Sequence, residues 1–170
     1  FDLAVKSVKL NKLEDQISII NVDVKTLSKI YETDTFDLIT CNPPYFKYDN
    51  NDNINDNEIK AIARHEIKLN LEDIFECARK ILKNNGKIAI VHKTDRLIDI
   101  IFYMKNNNLE PKRLQFIYPF SDSKSNLVII EGAKNAKPGL IVEKGIIVHN
   151  KDGSYTNEIL KIFNGGTKWR

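Results

Sequence analysis

The chain has 170 residues, which is enough for one domain with its own hydrophobic core. Apolar residues make up 42% of it and charged residues 29%, a balance that excludes a disordered chain and is typical of a soluble globular protein. No apolar run approaches the roughly 20 residues that a membrane helix needs, and a net charge of +3 is too small to indicate a nucleic-acid partner by itself.

Cysteine and histidine usage favours a cytoplasmic location and no metal. The first residues contain no basic segment followed by an apolar one, so no secretory signal is predicted. Cys41 and Cys77 are therefore expected to be reduced thiols, and they are too far apart for a metal-ligand pair. The three histidines are also scattered. Because the first residue is Phe1 and not methionine, we expect a longer gene product.

Apolar periodicity predicts helices and strands that alternate through about residue 118. Helices are predicted over 2–13, 24–30, 71–82 and 97–104, with Asn70 as the N-cap of the third and Gly86 ending the turn after it. Strands are predicted over 17–20, 36–41, 88–91, 114–118 and 127–130, with one more strand in 140–148 and a short helix over 156–163. Residues 47–58 are nearly all polar and indicate a loop.

Such alternation predicts an α/β fold with right-handed β-α-β units and a parallel sheet covered on both faces. The strands at 113–118 and 126–132 are joined by a loop with no room for a crossover helix. We therefore expect them to pair as an antiparallel hairpin at the sheet edge. Residues 1–170 are interpreted as a single domain.

Asn42-Pro43-Pro44-Tyr45 is the segment that indicates chemistry. Two successive prolines end the strand at 36–41, and open α/β sheets bind ligands where their strands end. The exocyclic amine of adenine is a poor nucleophile, and two acceptors that hold its N–H bonds can aim its lone pair at a methyl donor. The Asn42 side chain and the Pro43 carbonyl are such acceptors, and the Tyr45 ring can stack on a base. The alternative is an ordinary strand-ending turn.

The sequence resembles the class I S-adenosylmethionine-dependent methyltransferases with an NPPY motif, and among them the bacterial adenine-N6 methyltransferases of valine tRNA. The resemblance covers nearly the whole chain and rests on residues 36–46, 63–66, 86–92, 110–113 and 124–132. DNA adenine and protein glutamine methyltransferases share the tetrapeptide, whereas Tyr45-Phe46 together with Ala63-Arg64-His65-Glu66 favours the tRNA enzymes. The resemblance implies a Rossmann-like sheet, S-adenosyl-L-methionine as the cofactor and tRNA as the partner.

The resemblance also implies residue roles. Asn42 and the Pro43 carbonyl would bind the target amine, Asn42 would also border the cofactor, and Tyr45 would stack on the base. Pro44 and Phe46 would help to hold the substrate. Asp23 would approach the cofactor adenine, although a helix N-cap is an equal alternative. Arg64 and His65 would contact RNA phosphate or shape the pocket, the alternative being ordinary surface charges. Arg113, Lys124 and Asn126 are more simply read as surface residues than as tRNA contacts.

One half of such an enzyme is missing from the sequence. The family begins with a strand, a Gly-rich turn and a helix for the methionine part of the cofactor, followed by a strand ending in an acidic residue. Neither feature precedes residue 17, so we expect the fold to lack its first two strands and the chain alone to be inactive. A protein-glutamine or other N-methyltransferase and a non-catalytic RNA-binding remnant remain alternatives. The sequence predicts neither the target nucleotide nor the oligomeric state.

Overall fold

The computed structural model describes residues 1–43 and 70–165, so Pro44, Tyr45, Phe46, Arg64 and His65 lie outside the described residues, as does the polar segment 47–58. Its α-helices are α1 (Asp2–Leu10), α2 (Leu27–Ile30), α3 (Leu71–Ile81), α4 (Leu97–Asn106) and α5 (Asn157–Phe163), with 3-10 turns at Val24–Thr26 and Thr94–Arg96. Its strands are β1 (Phe36–Cys41), β2 (Leu82–Lys93), β3 (Leu109–Tyr118), β4 (Leu127–Lys134), β5 (Ile141–Val142) and β6 (Ile146–Ile147).

The strands form one open, mostly parallel sheet in the order β1-β2-β4-β3-β5, with β6 also paired to β3. β1 runs parallel to β2, and β4 runs antiparallel to both β2 and β3. The predicted α/β fold and the antiparallel β3–β4 hairpin are confirmed. The hairpin does not end the sheet, however, because β5 and β6 pair with the outer side of β3. Strand β4 lies inside, as the complete burial of Val128 and Ile130 requires.

Helices α3 and α4 pack on one face of this sheet. The core contains alternate residues of β2 and β4 together with Phe75 of α3 and Met104 of α4. The predicted N-cap of α3 is confirmed as a reciprocal capping box. Asn70 Oδ1 accepts from Asp73 N at 2.8 Å, and Asp73 Oδ2 accepts from Asn70 N at 3.2 Å.

The junction from α3 to β2 is tighter than the sequence indicates. Strand β2 begins at Leu82, directly after the helix, and its pairing with β1 shifts register between Phe36 and Leu38. Asn85 adopts the left-handed conformation with φ 61°, so Asn85 rather than Gly86 turns the chain. Gly86 is still required for space, because a Cβ there would lie 2.8 Å from the Lys83 carbonyl oxygen.

The strand predicted over 17–20 is wrong. This segment has no regular structure, and Ile17 and Ile20 are 41% and 44% exposed. A strand requires a hydrogen-bonded neighbour, and among the described strands β1 is paired on its β2 side only. Ser18 and Ile20 share a cavity with residues of β1, so this segment lies near the outer edge of β1 without pairing with it, although its composition suits a strand.

Candidate active site

Asn42 leaves the sheet at the carboxyl end of the parallel pair β1 and β2. The last paired residue of β1, Cys41, lies opposite Ile90, and β2 continues to Lys93 beside the departing chain. Asn42 is exposed, whereas Pro43 is buried. A buried proline with a fixed φ anchors the chain directly after the exposed amide. The two acceptors predicted from the sequence are thus neighbours at the edge where α/β sheets bind ligands.

The cysteine that precedes Asn42 is not equipped to act as a nucleophile. Cys41 is half-buried, and burial raises the pKa of its thiol above the ordinary value. The thiolate is the reactive form of cysteine, so this side chain stays protonated and inert at neutral pH. Cys41 therefore supplies no nucleophile at the strand end.

The end of the neighbouring strand β2 carries a buried imidazole. His92 is 3% exposed, and its Nδ1 accepts a hydrogen bond from the Lys93 backbone N–H at 2.8 Å. Burial, reinforced by the charge of Arg96, lowers the pKa of His92 below its ordinary value. The imidazole is therefore neutral at physiological pH, and its acceptor nitrogen helps to fix the backbone where β2 ends.

The β3–β4 loop is fixed to the same strand end. Thr94 N donates to the Asn126 carbonyl at 3.1 Å, and the hydroxyls of Thr94 and Ser125 lie 3.0 Å apart. The Ser125 hydroxyl also lies 3.0 Å from the Ile117 carbonyl and 2.9 Å from that of Leu127. Since Ser125 has one proton to donate to a carbonyl, the Thr94 hydroxyl acts as donor to Ser125.

Two residues of that loop, Lys124 and Asn126, are exposed beside the end of β2. Arg113 differs, because its Nε lies 2.9 Å from Glu143 Oε1 in an ion pair on the sheet. The loop therefore presents polar side chains at the edge of the sheet where the chain continues from β1 into Asn42. Arg113 instead binds Glu143.

Asp23 is the N-cap of the turn at Val24–Thr26, which was the alternative interpretation of this residue. Its Oδ1 accepts from Lys25 N at 2.9 Å. The turn is also held to α3 by an ion pair of 2.9 Å between Lys25 and Asp73. The cofactor role of Asp23 stays a prediction, because a capping carboxylate retains further acceptor capacity.

A cavity connects the surroundings of Asp23 and Asn42. It measures about 380 Å³ and runs along the outer edge of β1. Val24, which follows Asp23, and Cys41, which precedes Asn42, both line it. Most of the remaining lining is apolar, from segment 18–20, α2, β1 and α3. The structure thus brings the flanking residues of two predicted site positions to one cavity.

The predicted roles of Pro44, Tyr45, Phe46, Arg64 and His65 stay predictions, since these residues are not described. Within 1–43 and 70–165, no three histidine, cysteine or carboxylate residues group as metal ligands would. None of the helices in those ranges is long and apolar enough to cross a membrane.

Sequence reasoning missed a group of four rings at the carboxyl-terminal end of the fold. Phe120, His149, Tyr155 and Phe163 lie in a row with neighbouring centroids 5.0–5.6 Å apart. Their spacing in the sequence matches neither a helix nor a strand. One signal could have revealed the central pair: His149 and Tyr155 flank an Asp-Gly turn, which is typical of a hairpin.

No protein-family model matches the chain. Several curated relatives are named tRNA1(Val) (adenine(37)-N6)-methyltransferase. The relative from Porphyromonas gingivalis is 29% identical over 152 residues, which cover 87% of this chain and 58% of the relative. The relative from Parabacteroides distasonis is 32% identical over 97 residues, 56% of this chain and 39% of the relative. The matched segments thus span 58% and 39% of the lengths of these two relatives, and the resemblance of the chain to them is confirmed.

Solved structures confirm the fold. A predicted O-methyltransferase from Agrobacterium tumefaciens superimposes on 99% of this chain and 74% of its own length, with a TM-score of 0.75 and 15% identity. Geranyl diphosphate C-methyltransferase from Streptomyces coelicolor, solved with S-adenosyl-L-homocysteine, covers 78% of this chain and 59% of its own length, with a TM-score of 0.53 and 10% identity. At these identities the likeness concerns the fold alone.

Proposed function

We propose that this chain carries the amine-binding half of an S-adenosylmethionine-dependent methyltransferase that modifies the N6 amine of an adenine in tRNA. The observation that carries the proposal is the exposed Asn42 amide, followed by the buried Pro43, at the carboxyl end of a parallel strand. The names of the curated relatives support the choice of tRNA adenine over other amines. With tRNA as its substrate, the protein would act in the cytoplasm.

The chemistry assigned to these residues is orientation of a weak nucleophile. The Asn42 amide oxygen and the Pro43 carbonyl each accept one N–H of the adenine amine, so that its lone pair points away from both. When bound, the cofactor supplies an electrophilic methyl group on a sulfonium centre. The two acceptors would thus direct the lone pair of the amine toward that methyl group, and the amine would release its surplus proton to solvent. Asn42 needs no charge for this role, which suits an amide better than a carboxylate.

The cavity along β1 suits the adenosine part of the cofactor. Its lining of apolar side chains, including Ile20, Val24 and Leu27, can hold a flat purine, and polar groups at such pockets fix orientation. Asp23, which directly precedes the lining residue Val24, would accept a hydrogen bond from the purine amine. The role of Asp23 and the second role of Asn42, beside the cofactor, are parts of the proposal.

Replacement of Asn42 tests the amine clamp. In the intact protein, Asn42→Ala should lower methyl transfer to tRNA by at least about 10²–10³-fold, because one preorganised hydrogen-bond partner in a transition state is worth that much. Cofactor affinity, measured by calorimetry, should stay nearly unchanged. Asn106→Ala is the matched control, since Asn106 is an exposed amide at the end of α4. Normal turnover of Asn42→Ala would show that Asn42 does not hold the amine.

The choice of substrate needs a separate assay, because a glutamine amide requires the same clamp as an adenine amine. Radiolabelled methyl transfer by the intact protein should be compared on bulk tRNA and on total protein. Label in tRNA that co-migrates with N6-methyladenosine after nuclease digestion is the expected result. Label in protein would favour the glutamine alternative, and label in neither would favour a non-catalytic RNA-binding protein.

A further inference from the structure

The loop between β3 and β4 lies at the same edge of the sheet as Asn42. Strand β1 is parallel to β2, and β4 is antiparallel to β2, so the carboxyl ends of β1 and β2 meet the amino end of β4 at this edge. Lys93, the last residue of β2, is paired with Leu127, which directly follows the loop. Residues 119–126 are therefore neighbours of the strand ends at which the proposed reaction takes place.

Strand spacing gives the separation of the loop from Asn42. Cys41, the residue before Asn42, is paired with Ile90, and Asn126 accepts a hydrogen bond from Thr94 N at 3.1 Å. Asn42 and Asn126 are thus two strands apart across the sheet and three residues apart along β2. With about 4.8 Å between strands and about 3.3 Å per residue, the two backbones are roughly 14 Å apart. A few nucleotides of one RNA strand can bridge this distance.

Hydrogen bonds hold the loop in place. Asn126 N donates to the Ile117 carbonyl at 3.2 Å. The Ser125 hydroxyl, which accepts a hydrogen bond from the Thr94 hydroxyl, also contacts two backbone carbonyls. Lys124 and Asn126 flank Ser125 in the sequence, so a fixed backbone presents both side chains. Binding to such a loop costs little conformational entropy.

The side chains of Lys124 and Asn126 are available to a ligand. Both residues are exposed, and within residues 1–43 and 70–165 neither side chain makes a hydrogen bond or an ion pair. An ammonium group and an amide NH₂ are both donors, as a phosphate requires of its partners. Asp122 balances the charge of Lys124 within the loop, so the loop suits a single directed contact and not a track for a polyanion.

The position of Asn42, and not net charge, indicates which ligand this is. In the proposed reaction the target adenine lies against Asn42, and the phosphates that join it to its neighbours must cross the same edge of the sheet. Contacts to phosphate fix the position of a nucleic acid without reading its sequence. A glutamine side chain of a protein substrate would bring no phosphate to this edge.

From the shared edge, the fixed loop and the unpaired donors, we infer that Lys124 and Asn126 bind one backbone phosphate of the RNA that flanks the target adenine. This inference rests on the proposed function, which places the adenine at Asn42. It assigns the β3–β4 loop a second contact with the substrate. It also separates Lys124 and Asn126 from Arg113, which binds Glu143.

The test measures methyl transfer and filter binding by the intact protein with bulk tRNA. Lys124→Ala should raise KM for tRNA roughly 2-fold to 5-fold, as expected for one exposed ion pair, and should lower kcat far less. Lys124→Arg keeps the charge and should stay close to the wild type. Lys137→Ala is the matched control, because Lys137 is an exposed lysine beyond the carboxyl end of β4, at the opposite edge of the sheet.

Salt dependence distinguishes the two side chains. Each phosphate contact made by a cation contributes about 0.7–0.9 to the slope of log affinity against log salt. Lys124→Ala should therefore make the slope of tRNA binding shallower by about that amount. Asn126→Ala should weaken binding and leave the slope unchanged, because the amide is neutral. An unchanged slope in Lys124→Ala, wild-type affinity of Asn126→Ala, or equal weakening by Lys137→Ala would overturn the inference.

The proposed reaction and the phosphate contact fail in different ways. Absence of methyl transfer by a wild-type protein that binds tRNA with a slope dependent on Lys124 would refute the reaction and support the contact. Methyl transfer to tRNA with wild-type KM and slope in Lys124→Ala would refute the contact alone. Asn42→Ala should leave the salt slope of tRNA binding unchanged, because Asn42 is neutral.

Discussion

The residues at the ends of the neighbouring strands β1 and β2 differ in their exposure to solvent. Asn42 after β1 is exposed, whereas His92 at the end of β2 is buried and accepts a backbone hydrogen bond through Nδ1. Protonation of Nδ1 would remove that acceptor and place a positive charge in a buried site near Arg96. Burial and Arg96 therefore lower the pKa of His92, and Asp95 opposes them only in part.

This depressed pKa predicts a loss of stability on acidification. In the unfolded chain His92 titrates near its ordinary value of 6.5, and in the folded chain it titrates lower. The unfolded state therefore binds more protons as the pH falls through that value, so the free energy of unfolding should decrease between about pH 7.5 and 5.5. His92→Gln, which keeps an acceptor but cannot titrate, should flatten this decrease. Urea unfolding at several pH values measures it, and parallel curves for both proteins would contradict the prediction.

Among the helices and strands, sequence motifs predicted the features that depend on residues close together in the chain, such as helix caps and strand ends. The cap at Asn70 and the apolar stripe that follows it define α3, and the two prolines define where β1 ends. The prediction of a strand at 17–20 was wrong, because apolar content does not show whether a segment pairs with a neighbouring strand. The insertion of β4 between β2 and β3 and the contact of His149 with Phe120 depend on tertiary structure, which no short sequence window contains.

The capping box of α3 gives a prediction at this scale. Asn70→Ala should lower the free energy of unfolding by about 1 kcal/mol, because it removes the acceptor for the Asp73 backbone N–H. Asn70→Asp keeps an acceptor of the same size and should change stability far less. Urea denaturation of both variants at one pH measures the difference. Equal stability of Asn70→Ala and the wild type would show that the cap is dispensable.

At the scale of the whole molecule, the described sheet is covered unevenly. Helices α3 and α4 pack on one face, while the other bears a cavity of about 520 Å³ lined by residues of β1, β2, β3 and β4 and by Glu143. Leu38 of β1 is 55% exposed, and no residue of α1 is buried. Parallel strands are normally covered on both faces. Within the described residues, one face of the sheet is therefore left open, in contrast to the cover on both faces that the sequence predicts.

We expect the 170-residue chain and a longer gene product to differ in their affinity for the cofactor. Class I methyltransferases hold the methionine part of the cofactor with a Gly-rich turn at a helix N-terminus, which this sequence lacks upstream of residue 17. With only the cavity beside β1 available, the 170-residue chain should bind S-adenosyl-L-methionine weakly or not at all, so calorimetric titration should give heats close to those of dilution. The same titration of a protein extended by its upstream coding sequence is the matched comparison, and it should show saturable binding. Low-micromolar affinity of the 170-residue chain itself would refute the division of the site into two halves, because the cavity and Asp23 would then suffice to hold the methyl donor.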